Sequence, residues 1–104
     1  VANTRYGIVL YDGVNNTQVG GTGLGEGNLI SGNTSRGIHI DAAGNAATAD
    51  NVVEGNLIGV DAAGTTPKPN SSGVYVEEGA IDTVIGGSAP GAGNIISGNT
   101  ADGI

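Results

Sequence analysis

Aliphatic residues arrive in short bursts along this chain: "GIVLY" from Gly7, "NLI" from Asn28, "GIHI" from Gly37, "NVVEGNLIGV" from Asn51, "GVYV" from Gly73, "TVIGG" from Thr83 and "NIIS" from Asn94. Gly, Asn, Asp or Pro bounds each burst, which is the signature of short buried strands separated by tight turns. No stretch sustains the i, i+3, i+4 spacing of an amphipathic helix, and none approaches the length of a membrane span. The pattern predicts an all-β chain without membrane insertion.

The bursts repeat. Gly27 and Gly93 open "GNLISGNT" and "GNIISGNT", and the same offset of 66 residues relates Val19-Gly20-Gly21 to Ile85-Gly86-Gly87 and Gly7-Ile8 to Gly73-Val74. Within that period lies a shorter one of form Asn-Thr-x-x-Gly-aliphatic, at Asn3, Asn33 and Asn99, with "PNSSGVYV" from Pro69 as a looser copy. The glycines that close these copies are Gly7, Gly37, Gly73 and Gly103, at unequal spacing, as in a coil whose strands recur while its loops vary. Two further segments align in each coil. One begins at Asn16, Asp50 and Asp82, the other at Gly27, Gly55 and Gly93. The expectation is three short strands per coil and about three coils, near 7–36, 37–72 and 73–102, forming a single β-solenoid segment over 1–104.

Strands this short gain stability by pairing with their counterparts in the next coil, about 4.8 Å away. Such stacking favours residues that tolerate a copy of themselves overhead. The column Ile30, Ile58 and Ile96 is expected to fill the interior, and glycines with positive φ to turn the corners. Asparagines at corners are expected to bond amide to amide in ladders: Asn28, Asn56 and Asn94 in one, Asn33 and Asn99 in another with Asp61 as its middle rung.

The segments "VGGTGLGEGNLISGNTSRGIHI" from Val19, "GNLIGVDAAG" from Gly55 and "VIGGSAPGAGNIISGNTADGI" from Val84 resemble the right-handed parallel β-helix repeat proteins, a pectate-lyase-like solenoid. The resemblance covers nearly the whole chain and is closer to the long repeat arrays of large secreted or surface bacterial proteins than to the enzymes of that fold. It implies a right-handed winding. It also implies an extracellular or cell-surface location and a structural role as rigid spacer, adhesin stalk or self-associating fibre unit. Because one fold hosts many functions, a carbohydrate-binding or polysaccharide-cleaving β-helix is the alternative.

Composition narrows the partners. Ten acidic residues against Arg5, Arg36 and Lys68 give a net charge of −7, which leaves nothing to neutralise a run of phosphates and argues against nucleic acid. There is no Cys, Phe, Trp or Met. The chain starts within one coil and stops as a strand begins, so further coils, or copies of itself joined end to end, are the expected partners, with polysaccharide as the alternative one.

Alternation along the strands places Val9, His39 and Tyr75 in one outward column and Tyr11, Asp41 and Glu77 in the next. His39, Tyr75, Tyr11, Asp41 and Glu77 are therefore the candidate ligand-binding stripe, with tyrosines to stack on sugar rings and acids to bond hydroxyls. Arg5 and Arg36 are expected in turns away from it, Lys68 in an exposed loop. Lyases of this fold need a base beside clustered acids, and hydrolases a spaced carboxylate pair. No convincing set of either kind is present, so no catalytic residue is assigned. Asp41 and Glu77, and Asp12 and Glu78, are expected as like-charged neighbours on adjacent coils. Ca²⁺ would relieve that repulsion, though carboxylates splayed into water need no ion, and no cofactor is expected.

Overall fold

The computed structural model describes residues 2–44 and 46–104. Their strands are β1 (Ile8–Tyr11), β2 (Gln18–Gly20), β3 (Leu29–Ile30), β4 (Arg36–Asp41), β5 (Val52–Glu54), β6 (Leu57–Ile58), β7 (Ser72–Glu77), β8 (Val84–Ile85) and β9 (Ile95–Ile96). The described residues contain no helix, and none therefore long and apolar enough to cross a membrane.

Consecutive strands do not pair with one another. Every third strand does, giving the sheets β1-β4-β7, β2-β5-β8 and β3-β6-β9, with all pairings between these strands parallel. Three strands thus make one layer and three layers make a β-solenoid-like stack. Register follows the repeats: Ile30 pairs with Ile58 and Ile58 with Ile96, while Val19, Val53 and Ile85 form a second column and Leu10, Ile40 and Val76 a third.

Ile38, Ile40, Val53 and Ile58 of the middle coil are fully buried, as is Val74 of the last, whose strand bonds onward to Gly103, and Leu10, Val19 and Ile30 of the first coil are at most 6% exposed. In the last coil Ile85 and Ile96 are half-buried and Val76 is 38% exposed. Each complete burial of such a side chain contributes about 1.5–3 kcal/mol, so a coil draws much of its stability from its neighbours.

Two amide ladders run along the corners. Asn28 donates its backbone N–H and Nδ2 to Asn56 Oδ1 at 3.0 and 3.1 Å, and Asn56 donates likewise to Asn94 Oδ1 at 2.9 and 3.0 Å. The second ladder begins at Asn3, passes through Asn33 and ends at Asn99, but its remaining rung is Asn70, not Asp61. Asn70 accepts from Asn33 N–H and Nδ2 at 3.0 and 2.9 Å, and donates Nδ2 to Asn99 Oδ1 at 3.1 Å and to Ile30 O at 3.0 Å. A rung must accept from one neighbour and donate to the other, which an ionised carboxylate cannot do.

Asp61 instead begins a loop that leaves the stack after Val60 and closes through the antiparallel bridge of Val60 with Pro67. Its Oδ1 accepts from Thr65 N–H at 3.0 Å and Thr66 N–H at 3.2 Å. Thr65, then Thr66, hold the carboxyl at about 2, below its ordinary 3.8. A depressed value means that this turn's contribution is fully present above pH 4, wanes as pH falls and is lost through pH 2. A carboxyl-carbon NMR titration of Asp61 is expected to reach its midpoint near pH 2, with the Thr65 and Thr66 amide shifts following it; a midpoint near 3.8 contradicts this turn.

Glycines take positive φ as expected, Gly20, Gly32, Gly55, Gly59, Gly86 and Gly98 among them, whereas those of the shared form are selected for another reason. Gly7, Gly37 and Gly73 do not have positive φ; a Cβ there would stand 2.5–2.7 Å from the carbonyl oxygen of Gly37, Gly73 and Gly103 respectively. Close approach of coils selects them. Positive φ falls elsewhere, including the aligned non-glycine corner Asn16, Asp50 and Asp82, at 54°, 55° and 50°. Asn and Asp are the side chains that tolerate that conformation best.

Candidate functional site

The outward face of β1-β4-β7 carries the chemically varied side chains. Register sets Val9 beside His39 and His39 beside Tyr75, then Tyr11 beside Asp41 and Asp41 beside Glu77. Asp12 and Glu78, which follow Tyr11 and Glu77 in the first and third layers, are not neighbours: the middle coil separates them.

The stripe is not an open one. Tyr11 and Val9 are about half exposed, but His39 and Asp41 are 6% and 8% exposed. Tyr6 lies across the imidazole with ring centroids 4.8 Å apart, and Tyr75 meets it edge-on at 6.0 Å. Two aromatic rings therefore box the histidine.

Arg36 joins this group, contrary to its expected place in a turn outside the stripe. It is the first residue of β4, and its guanidinium sits 3.9 Å above the Tyr75 ring and 5.7 Å from that of Tyr6. Simple alternation would send Arg36 inward with Ile38. Gly37 breaks the alternation, because a Cβ on it would point at Ile58 Cγ2 and Asn70 Nδ2 in the interior, and Ile38 is itself fully buried. With two successive residues facing in, Arg36 faces out. Its Nη1 donates to the Tyr6 hydroxyl at 3.3 Å, and Arg5 approaches that ring to 5.1 Å. Tyr6 had a signal in the sequence: Tyr6, Arg36 and Ser72 each precede the aligned Gly7, Gly37 and Gly73.

Charge converges on the imidazole. His39 Nε2 is 2.6 Å from Glu77 Oε1 and 3.8 Å from Asp41 Oδ2, so with carboxylates opposite it this nitrogen carries the proton and donates to Glu77. Asp41 is fixed from its other side, Oδ1 accepting Ala43 N–H at 2.7 Å. Arg36 Nη2 stands 3.7 Å from Glu77 Oε1. His39 Nδ1 is buried without a partner. The donor atoms of His39, Asp41 and Glu77 all lie within 4.8 Å of one another, which makes them the group on this face able to hold a cation.

Sequence reasoning also missed Asn51 and Thr48, both fully buried. Asn51 accepts Thr17 N–H at 2.9 Å and donates to Val14 O at 2.9 Å; the Thr48 hydroxyl donates to Asp41 O at 3.0 Å and accepts Gly13 N–H at 3.1 Å. These bonds secure the chain on both sides of the β4 to β5 corner, and Thr48 anchors the backbone of Asp41 directly.

A groove of about 710 Å³ lies elsewhere, between the 21–27 loop and the outward Leu29 and Leu57. Its lining is glycine and aliphatic apart from Thr22 and Asn28, with no titratable side chain.

The chain matches no protein-family model, no curated protein and no solved structure.

Proposed function

We propose that the chain is a structural segment of a right-handed parallel β-helix in an extracellular or cell-surface protein, serving as rigid spacer, adhesin stalk or fibre unit. The observation that carries this reading is the direction of the ladder. Asn3, Asn33 and Asn70 each donate Nδ2 to the Oδ1 of the next rung, whereas Asn99 Nδ2 is buried and unpartnered. Together with the half-open core of the last coil, this favours a further coil, or a second copy, continuing the stack head to tail. Right-handedness is supported by the strong general preference for right-handed connections between parallel strands.

The alternative as a carbohydrate-binding or polysaccharide-cleaving β-helix has less support. Two of the three tyrosine faces are in use, Arg36 covering Tyr75 and two arginines flanking Tyr6, which leaves Tyr11 alone open to a sugar. The purified chain is expected to form end-to-end fibres by electron microscopy, or to stay monomeric as a spacer, and in both cases to be silent on a glycan array and to release no unsaturated sugars. Array binding lost in Tyr11→Ala, or release of such sugars, overturns the structural reading in favour of the carbohydrate one.

A further inference from the structure

We propose that His39, Asp41 and Glu77 form a site for one divalent transition-metal ion of the zinc, cobalt or manganese class on the flank of the stack. The donors are one imidazole nitrogen and two carboxylate oxygens, supplied by the adjacent strands β4 and β7. Ligands about 2.0–2.2 Å from such an ion stand roughly 3–3.5 Å from one another. The present separations of Nε2 from the carboxylates, 2.6 and 3.8 Å, straddle that range, and the three donors, all within 4.8 Å of one another, reach bonding geometry as the two carboxylates draw together. Three protein ligands leave a further position for water.

Electrostatics favours occupation. Register places Asp41 directly beside Glu77, and like charges so placed repel. The proton on Nε2 compensates Glu77 closely and Asp41 only from 3.8 Å. A dication at the same point serves both, the Nε2 proton being released as the ion binds and the neutral ring keeping its proton on Nδ1. Arg36, whose Nη2 stands 3.7 Å from Glu77 Oε1, opposes the ion, but its guanidinium is held over Tyr75. The site is also built in advance: His39 and Asp41 are buried, the ring is boxed by Tyr6 and Tyr75, and Asp41 is fixed by Ala43 N–H and by Thr48 on its carbonyl.

The donor set selects the metal. Calcium seeks six to eight oxygens, whereas a nitrogen with two carboxylates suits the zinc class. A ligating histidine ordinarily donates its other N–H to a partner, and His39 Nδ1 has none. That omission lowers affinity by about 10–100-fold relative to a site with such a partner.

The test uses Co²⁺ added to the full chain after dialysis against chelator. One equivalent is expected to give saturable visible ligand-field bands that Zn²⁺ abolishes and excess Ca²⁺ does not. His39→Gln and Glu77→Gln are each expected to weaken binding at least about 10-fold. Glu77 is partly exposed, so its variant keeps the fold, as far-UV circular dichroism checks. Absence of saturable bands, displacement by Ca²⁺, or unchanged affinity in either variant overturns the site.

Discussion

Replacing Asn70 by alanine is expected to lower the free energy of unfolding by about 4 kcal/mol, because two buried donors lose their acceptor at about 1–3 kcal/mol each. The donors are the N–H and Nδ2 of Asn33, itself 5% exposed, and no other acceptor is bonded to either. The other partners of Asn70 fare better. Ile30 O keeps Gly59 N–H, and Asn99 Oδ1 keeps the backbone N–H of residue 70. At Asn28, an exposed first rung that only donates, the same truncation is expected to cost about 1 kcal/mol, since Asn56 Oδ1 keeps a backbone donor. Asn70→Asp preserves the acceptor and removes the donor, so it too destabilises at neutral pH, with partial recovery in acid as the carboxyl regains a proton to give. Urea denaturation measures all three; a loss below about 1 kcal/mol for Asn70→Ala would mean the ladder is incidental to stability.

Gly55→Ala is the second large effect. Gly55 has φ 68°, and a Cβ there would fall onto Gly21 O of the coil above while standing 3.1 Å from Gly91 O of the coil below. Both obstacles are backbone, so neither can rotate away. The left-handed conformation costs an alanine about 1–2 kcal/mol, and separating the coils raises the expected total to about 3 kcal/mol or more. Gly25→Ala isolates the first of these: φ is 82°, and a Cβ would meet nothing within 4 Å. The difference between the two variants reports how tightly the coils are pressed together. Equal losses in urea denaturation would contradict that packing.

The layers were legible because stacking imposes the same residue at the same place, and the columns through Ile58 and Asn56 follow directly from aligned segments. Asp61 was misassigned for a related reason. "GNLIGVD" aligns with "GNLISGN", but the chain leaves the stack after Val60 and meets the corner again only at Asn70, inside the looser copy "PNSSGVYV". Alignment sees order along the chain; a rung is defined by what sits above it.

The candidate site was legible in register and hidden in depth. Alternation placed His39 beside Tyr75 and Asp41 beside Glu77, as the strands have them. It could not show that His39 and Asp41 are covered, because Tyr6, which covers the imidazole, comes from the preceding coil and lies outside β1. Nor could it place Arg36, since period-two reasoning fails where a corner glycine turns two successive residues inward.

The central claim is that equivalent segments lie parallel and in register from coil to coil. Methyl-to-methyl nuclear Overhauser spectroscopy tests it directly, since paired strands stand about 4.8 Å apart and alternate ones about twice that. Ile58 is expected to give strong cross-peaks to both Ile30 and Ile96, with none directly between those two. Absence of the Ile58 contacts, accompanied by Hα–Hα cross-peaks joining consecutive strands as in antiparallel hairpins, would contradict the account.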